Sequence, residues 1–185
     1  NTEARIDSLP QTWAAISGAG DSDRIEVALR SLEENLVRDA DNLILLFTPP
    51  FDKTGADVGY IKGYPPGVRE NGGQYTHAAT WVAMAFARQG DGDKAVRLLR
   101  MLNPVEHARD EKDCERYKVE PYIVPGDVYS LAGNIGRGGW TWYTGAAAWT
   151  YRVWLEEILG FQRRGDTLMI NPVIPKDWSG FRLRY

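Results

Sequence analysis

The sequence predicts a mainly α chain, part of an α/α toroid that closes on a short β segment. Three observations carry that expectation. Apolar residues recur at helical spacing in several separate stretches. Long loops rich in Gly, Pro and aromatic residues join these stretches, where a simple helical bundle needs only short connections. After Gly160 the pattern changes to short runs with strand character around Pro172, Pro175 and Trp178.

Taken in order, Thr12–Ser17 reads as the tail of a first helix, closed by Gly18-Ala-Gly20. A second helix starts at a Ser22 or Asp23 cap and runs to about Asp39, with Ile25, Leu29, Leu32 and Leu36 on one face. Leu43–Thr48 is a short apolar run that Pro49-Pro50 ends. Residues 51–75 carry many Gly and Pro and read as one long ordered loop, a length that inside a compact domain points to function. Thr76 to Gln89 is the next helix and Gly90-Asp91-Gly92 stops it. Asp93 then caps a helix to Leu102, which Asn103-Pro104 ends. A charged loop from Glu106 to Lys118 leads to a short helix near Pro121–Leu131, and Gly133–Gly139 is again a glycine loop. Thr144 to Leu159 is the last strong helix, and Thr167–Asn171 and Phe181–Tyr185 read as strands.

Composition narrows the function classes. The 185 residues are 43% hydrophobic and 25% charged, an ordinary globular balance. With a net charge of −3 and no stripe of Lys or Arg, a nucleic-acid partner held through its phosphates is excluded. Two His, one Cys and no ligand-like spacing give no zinc site, so no metal and no cofactor are expected. The lone Cys114 and the absence of a signal-peptide pattern predict a cytoplasmic location. The chain starts without Met and stops in a strand-like run, so it reads as a fragment.

The loops combine flat apolar faces with polar partners. Tyr60, Tyr64, Tyr75, Trp140, Trp142 and Tyr143 supply the faces; Arg69, Glu70, Asn71, Gln74 and Glu120 supply donors and acceptors. Sugar rings present C–H faces to stack and hydroxyl rims to pair, so the loops predict a carbohydrate site. Glu70 and Glu120 could form an inverting acid/base pair, or simply bind hydroxyls and tie loops. His77 opens a helix, and a helix N-terminus beside an imidazole makes an anion site. Thr144-Gly145 has the same character, a hydroxyl followed by an approachable backbone N–H, so one anion could be clamped between two helix ends. On composition alone a purely structural His77 remains open. His107, set among charged residues, reads as surface.

Four segments in order resemble the glycoside hydrolase family 94 phosphorylases: GYIKGYPPGVRENGGQYTH over Gly59–His77, YKVEPY over Tyr117–Tyr122, GRGGWTWYTG over Gly136–Gly145, and IPKDW over Ile174–Trp178. Within that family the likeness is strongest to the phosphorylase-like C-terminal region of cyclic β-1,2-glucan synthases and to β-1,2-oligoglucan phosphorylases. The resemblance implies an (α/α)6 barrel, with residues 1–160 as its later part and 161–185 as the first strands of a following β segment. It implies that His77, Thr144 and Gly145 bind phosphate and that Glu70 binds sugar, with Tyr64, Gln74 and Trp140 as further sugar contacts. Inorganic phosphate is then a co-substrate rather than a cofactor, and the reaction is inverting phosphorolysis of a β-glucan to α-glucose-1-phosphate. The family's general acid is an Asp in an Asp-Trp-Asn-Asp-like motif that this sequence lacks. It is expected upstream of Asn1, leaving the chain alone inactive and without a catalytic residue of its own. The expected partners are a β-glucan oligosaccharide, phosphate, the remainder of a parent polypeptide and a second copy in a homodimer. A membrane-bound parent would carry this module on the cytoplasmic side. An inverting hydrolase on the same barrel and a non-catalytic glycan-binding module are the alternatives.

Overall fold

The computed structural model describes residues 2–142 and 144–185; Tyr143, one of the expected loop aromatics, lies outside the described residues. Helix α1 (Ser8–Ile16) begins at Asp7, whose carboxylate accepts from Leu9 N at 2.8 Å. Helix α2 (Ser22–Leu36) is capped by Asp21 rather than by Ser22 or Asp23, because the Asp21 carboxylate reaches the amides of both Asp23 and Arg24. The expected stripe of Ile25, Leu29, Leu32 and Leu36 is buried along its whole length. Each such side chain contributes on the order of 1.5–3 kcal/mol. α2 ends before Asp39 because Val37–Arg38 turns extended and pairs with Leu43–Ile44.

Helix α3 (Thr76–Arg88) is the centre of the molecule. Ala78, Ala79, Val82, Ala83, Met84, Ala85, Phe86 and Ala87 are all buried. A helix apolar on nearly every side belongs inside a packed layer, and α3 touches α1, helix α4 (Gly92–Met101) and helix α6 (Ala146–Arg152). α4 is capped by Asp91, which accepts from Lys94 N at 3.0 Å. The expected cap Asp93 instead accepts from Lys176 N at 2.8 Å, tying the C-terminal segment down. α6 continues as a π-helical stretch, Val153–Ile158, closed by Leu159 N donating to Trp154 O. Arg88 joins three elements: its guanidinium donates to Glu157 Oε1 through two nitrogens and to Ile16 O.

Three expectations fail here. The charged loop contains a 3-10 turn (Glu106–Ala108) and a helix, α5 (Glu111–Tyr117), capped by Asp110. Pro121–Leu131 is no helix; within it Asp127–Val128 pairs antiparallel with Gln74–Tyr75. Phe181–Tyr185 is no strand. The strand Thr167–Ile170 pairs with the preceding Phe161–Arg164 as a local hairpin, which leaves the terminal residues without a ladder. Gly160 makes the turn into that hairpin at φ +67°, and a β-carbon there would lie 2.1 Å from the Asn171 carbonyl carbon. Among the described residues no helix is long and apolar enough to cross a membrane.

Candidate active site

The loops before α3, α6 and the strand Asp127–Val128 meet at one end of the helices. The loop Tyr64–Gly73 is held by Asn71, fully buried, whose amide bonds the Phe51 N–H and the carbonyls of Phe51 and Tyr64. Ser130 joins this loop to the next, its N–H donating to Gly67 O and its hydroxyl to Gly72 O. Thr76 N donates to Gly126 O, and Gly126 N donates to Trp140 O. A buried polar backbone must be paired, and here the pairing fixes three loops against one another.

Together they enclose a cleft of about 550 Å³ lined by Tyr64, Arg69, Glu70, Tyr75, His77, Gly126, Asp127, Trp140, Trp142, Thr144 and Gly145. Six of the seven expected site residues therefore share one cavity, although they are up to 81 positions apart in the chain (Tyr64 to Gly145). Gln74 is the exception and is corrected. It is 1% exposed and its Oε1 accepts from Ile44 N at 2.9 Å. Gln74 and Tyr75 are consecutive residues of a strand, so they face opposite sides. Tyr75 lines the cleft and Gln74 supports the core.

His77 is wedged among aromatic rings. It stacks on Tyr75 with an interplanar angle of 11° and meets Trp81 edge-on at 4.7 Å. Burial pushes its pKa below the ordinary value, so at neutral pH the ring is an uncharged donor and acceptor. Gly145 lies against it: a β-carbon there would sit 3.4 Å from its Cε1 and Nδ1. Thr144 Oγ1 accepts from Ala146 N at 3.0 Å, which leaves its hydroxyl proton to donate elsewhere. Tyr75, the residue that caps α3, supplies no side-chain hydrogen bond to the helix start.

The opposite wall is polar and aromatic. The Arg69 guanidinium lies 3.8 Å over the Trp140 ring and 5.3 Å from the Tyr64 ring. Glu70 Oε2 is buried without a hydrogen-bond partner among the described residues. A buried carboxylate oxygen in that state is one that a bound hydroxyl would satisfy. The charge of Glu70 raises the pKa of Tyr60, and burial followed by Glu70 raises that of Tyr75.

Asp127, with the adjoining Gly126, is the part of the cleft that sequence reasoning missed. Asp127 is 2% exposed; its Oδ1 accepts from Trp140 N at 3.0 Å and its carbonyl from Gly139 N at 2.8 Å. Burial raises its pKa, opposed by the Trp140 amide and the Arg69 charge. Gly139 must be glycine, since a β-carbon there would sit 2.1 Å from Asp127 Oδ1. The available signal was a polar residue next to Gly126 in a stretch otherwise without charge. Glu120 lies outside the cleft, bonded to Trp142 Nε1 at 2.9 Å, which lowers its pKa. His107 is corrected: it is 2% exposed, stacks on Tyr117 at 5.0 Å, and has Nε2 2.6 Å from Met101 O.

The catalytic-domain model of the glycosyl hydrolase 94 superfamily matches residues 1–160. The chain is 54% identical over 181 residues to a cyclic β-(1,2)-glucan synthase of Rhizobium meliloti, an alignment covering 98% of this chain and 6% of that protein. It is 31% identical over 172 residues to solabiose phosphorylase of Paenibacillus borealis, covering 91% and 22%. It is 30% identical over 183 residues to N,N'-diacetylchitobiose phosphorylase of Vibrio proteolyticus, covering 98% and 22%. The chain thus spans between 6% and 22% of the length of these relatives.

Proposed function

The chain belongs to the glycosyl hydrolase 94 superfamily, and on that premise we propose that its cleft holds phosphate and a β-glucosyl unit side by side for inverting phosphorolysis. The observation that carries this reading is the division of the cleft into two walls. On one side His77, Thr144 and Gly145 offer an imidazole, a hydroxyl and backbone at a helix start, donors suited to an oxyanion. On the other, Glu70 Oε2 lacks a partner beside the aromatic faces of Tyr64 and Trp140, acceptor and platforms suited to a sugar. That two of the relatives named above are phosphorylases supports the same chemistry.

In the proposed reaction a phosphate oxygen forms a bond to the anomeric carbon as the bond to the glycosidic oxygen breaks on the opposite face. The leaving oxygen takes the electron pair and a proton. The proton comes from an aspartic acid in a motif this sequence does not contain, so these residues supply nucleophile and sugar binding rather than acid. Phosphate is itself the nucleophile, so no second carboxylate is needed to activate water. The cleft's task is alignment and charge stabilisation. A neutral His77 suits it, since its N–H donates without a strong counter-charge that would blunt the nucleophile. The linkage this reading favours is β-1,2, and the fold it favours is an (α/α)6 toroid, with residues 1–160 in the barrel and 161–185 beginning a β segment.

The test is phosphate dependence in the protein that carries this chain. α-Glucose-1-phosphate should appear from a β-glucoside only when phosphate is added. His77→Phe keeps the ring packing against Tyr75 and Trp81 while deleting the nitrogens, and should raise the phosphate KM about tenfold or more. Turnover that persists without phosphate and releases free glucose would sink the proposal in favour of a hydrolase.

A further inference from the structure

Residues 126–128 lie between residues 74–76 on one side and 138–140 on the other. Asp127 and Val128 pair with Tyr75 and Gln74, and Thr76 N donates to Gly126 O at 3.0 Å. On the other side Val128 bridges Gly138, Gly139 N donates to Asp127 O at 2.8 Å, and Gly126 N donates to Trp140 O at 2.6 Å.

An antiparallel hydrogen-bonded pair normally exchanges two backbone bonds, one in each direction. Between Gly126 and Trp140 the first is made by the Gly126 N–H. The Gly126 carbonyl, which would take the Trp140 N–H in return, is turned away to Thr76, the residue before His77. The Asp127 carboxylate stands in for it, and its Oδ1 accepts from Trp140 N at 3.0 Å. A carboxylate only 2% exposed is a costly replacement for a carbonyl. The charge and amide of Arg69, acting on it from the loop 64–73, offset part of that cost. Gly139 leaves the room, since a β-carbon there would lie 2.1 Å from Oδ1. Donors, acceptor and glycine all belong to the loops that build the cleft.

We infer that Asp127 is a positioning residue: its carboxylate replaces the Gly126 carbonyl at Trp140, so that this carbonyl can hold the start of α3 while Trp140 stays in register. The Trp140 face and the His77 side of the cleft are thereby set by one backbone segment. This rests on the reading of the cleft given above and gives Asp127 no contact with substrate. Without the carboxylate, the N–H groups of Trp140 and Thr76 compete for Gly126 O and both walls move. An amide side chain keeps the acceptor; a methyl group does not.

The test is calorimetric titration of the protein that carries this chain with a β-1,2-linked glucose disaccharide and, separately, with inorganic phosphate. Asp127→Ala should raise both Kd values about five- to tenfold, an effect the size of one hydrogen bond at each wall. Asp127→Asn, which keeps an oxygen for Trp140 N, should bring both back to within about threefold of the parent. Asp127→Ser, whose shorter side chain falls back from Trp140 N, should behave as Asp127→Ala and decides the matter if that variant does not fold. A carboxylate needed only for folding would lower the number of binding sites and leave both Kd values unchanged, which would overturn the assignment. Asp127→Asn as weak as Asp127→Ala would also overturn it. If that weakness were confined to the disaccharide, Oδ2, buried without a partner among the described residues, would be touching the sugar itself. Phosphate that fails to bind the parent, with the disaccharide Kd still following the Ala and Asn variants as above, would sink the phosphorolysis reading and leave Asp127 positioning Trp140.

Discussion

Replacing Gly145 by Ala separates folding from phosphate binding. Gly145 has φ −79°, an ordinary conformation for any residue, so Ala adds no backbone strain. Its methyl would rest 3.4 Å from Cε1 and Nδ1 of His77, ordinary van der Waals contact. Two stability terms remain and they oppose each other. Ala restricts the unfolded chain, which stabilises by about 0.4–1 kcal/mol. Gly145 also precedes the first residue of α6, where Ala is the poorer cap by about 0.5–1 kcal/mol. The net change is within about 1 kcal/mol. Phosphate binding faces no such cancellation. The methyl occupies the space between the Gly145 backbone and the imidazole, where the anion would receive both donors. Losing one charge-assisted hydrogen bond there costs about 1.5–3 kcal/mol, roughly 10- to 150-fold in affinity. Initial rates against phosphate concentration should show that rise in phosphate KM, with a thermal midpoint close to the parent's. A folded Gly145→Ala variant with unchanged phosphate KM would refute the placement of the anion between Gly145 and His77.

Two further outcomes are expected. The Tyr117 hydroxyl is buried without a hydrogen-bond partner among the described residues, and burial raises its pKa. Tyr117→Phe keeps the stack on His107 and removes an unsatisfied group, so denaturant unfolding should show stability unchanged or raised by up to about 1–2 kcal/mol; a loss of that size would reveal a partner for the hydroxyl. Burial lowers the His77 pKa, so below its unfolded value of 6.5 the unfolded chain takes up a proton before the folded chain does. Its contribution to stability is therefore complete above pH 6.5 and is lost as pH falls through the folded pKa. Buried His107 acts in the same sense. Thermal midpoints measured from pH 7.5 down to 5 should fall, and His77→Phe should make the fall shallower without abolishing it. An equally steep fall in that variant would count against a buried, neutral His77.

Much of this was legible in local pattern. The α2 stripe and the α3 boundaries follow from spacing, since a helix needs only neighbours within a few residues. The caps slipped because Asp21-Ser22-Asp23 and Asp91-Gly92-Asp93 each offer more than one capping side chain, and which one reaches an amide is decided by the chain's entry angle. The Asp127–Val128 strand was illegible because its partners, Tyr75 and Gln74, lie 52 and 54 residues away and only tertiary structure brings them there. His107 misled for the same reason: its charged neighbours describe the surface, while a 3-10 turn directs the ring inward onto Tyr117. In the cleft, Tyr64, Glu70, His77, Trp140, Thr144 and Gly145 came together, and strand alternation removed Gln74. Asp127 escaped because its place beside Gly126 in an uncharged stretch is a faint signal, and the partners that fix it, Gly139 and Trp140, are brought to it only by the tertiary fold.

That omission matters because Asp127 is where the loops are joined. Helix packing sets where α3 and α6 begin, but it does not bring the loop 64–73 against the segment 138–142. The two-residue strand does. Gln74 and Tyr75 pair with it, Thr76 N donates to the adjoining Gly126, and the Asp127 carboxylate and carbonyl hold Trp140 and Gly139. Sugar wall and anion wall are thus referenced to one buried carboxylate, itself kept costly by burial and partly offset by Arg69. A buried carboxylate that carries such a cost and bonds the backbone of the neighbouring loop is accounted for by positioning. On this view the cleft's geometry depends on the hydrogen bonds of Asp127, and the helices supply the rigid frame that makes those few bonds sufficient.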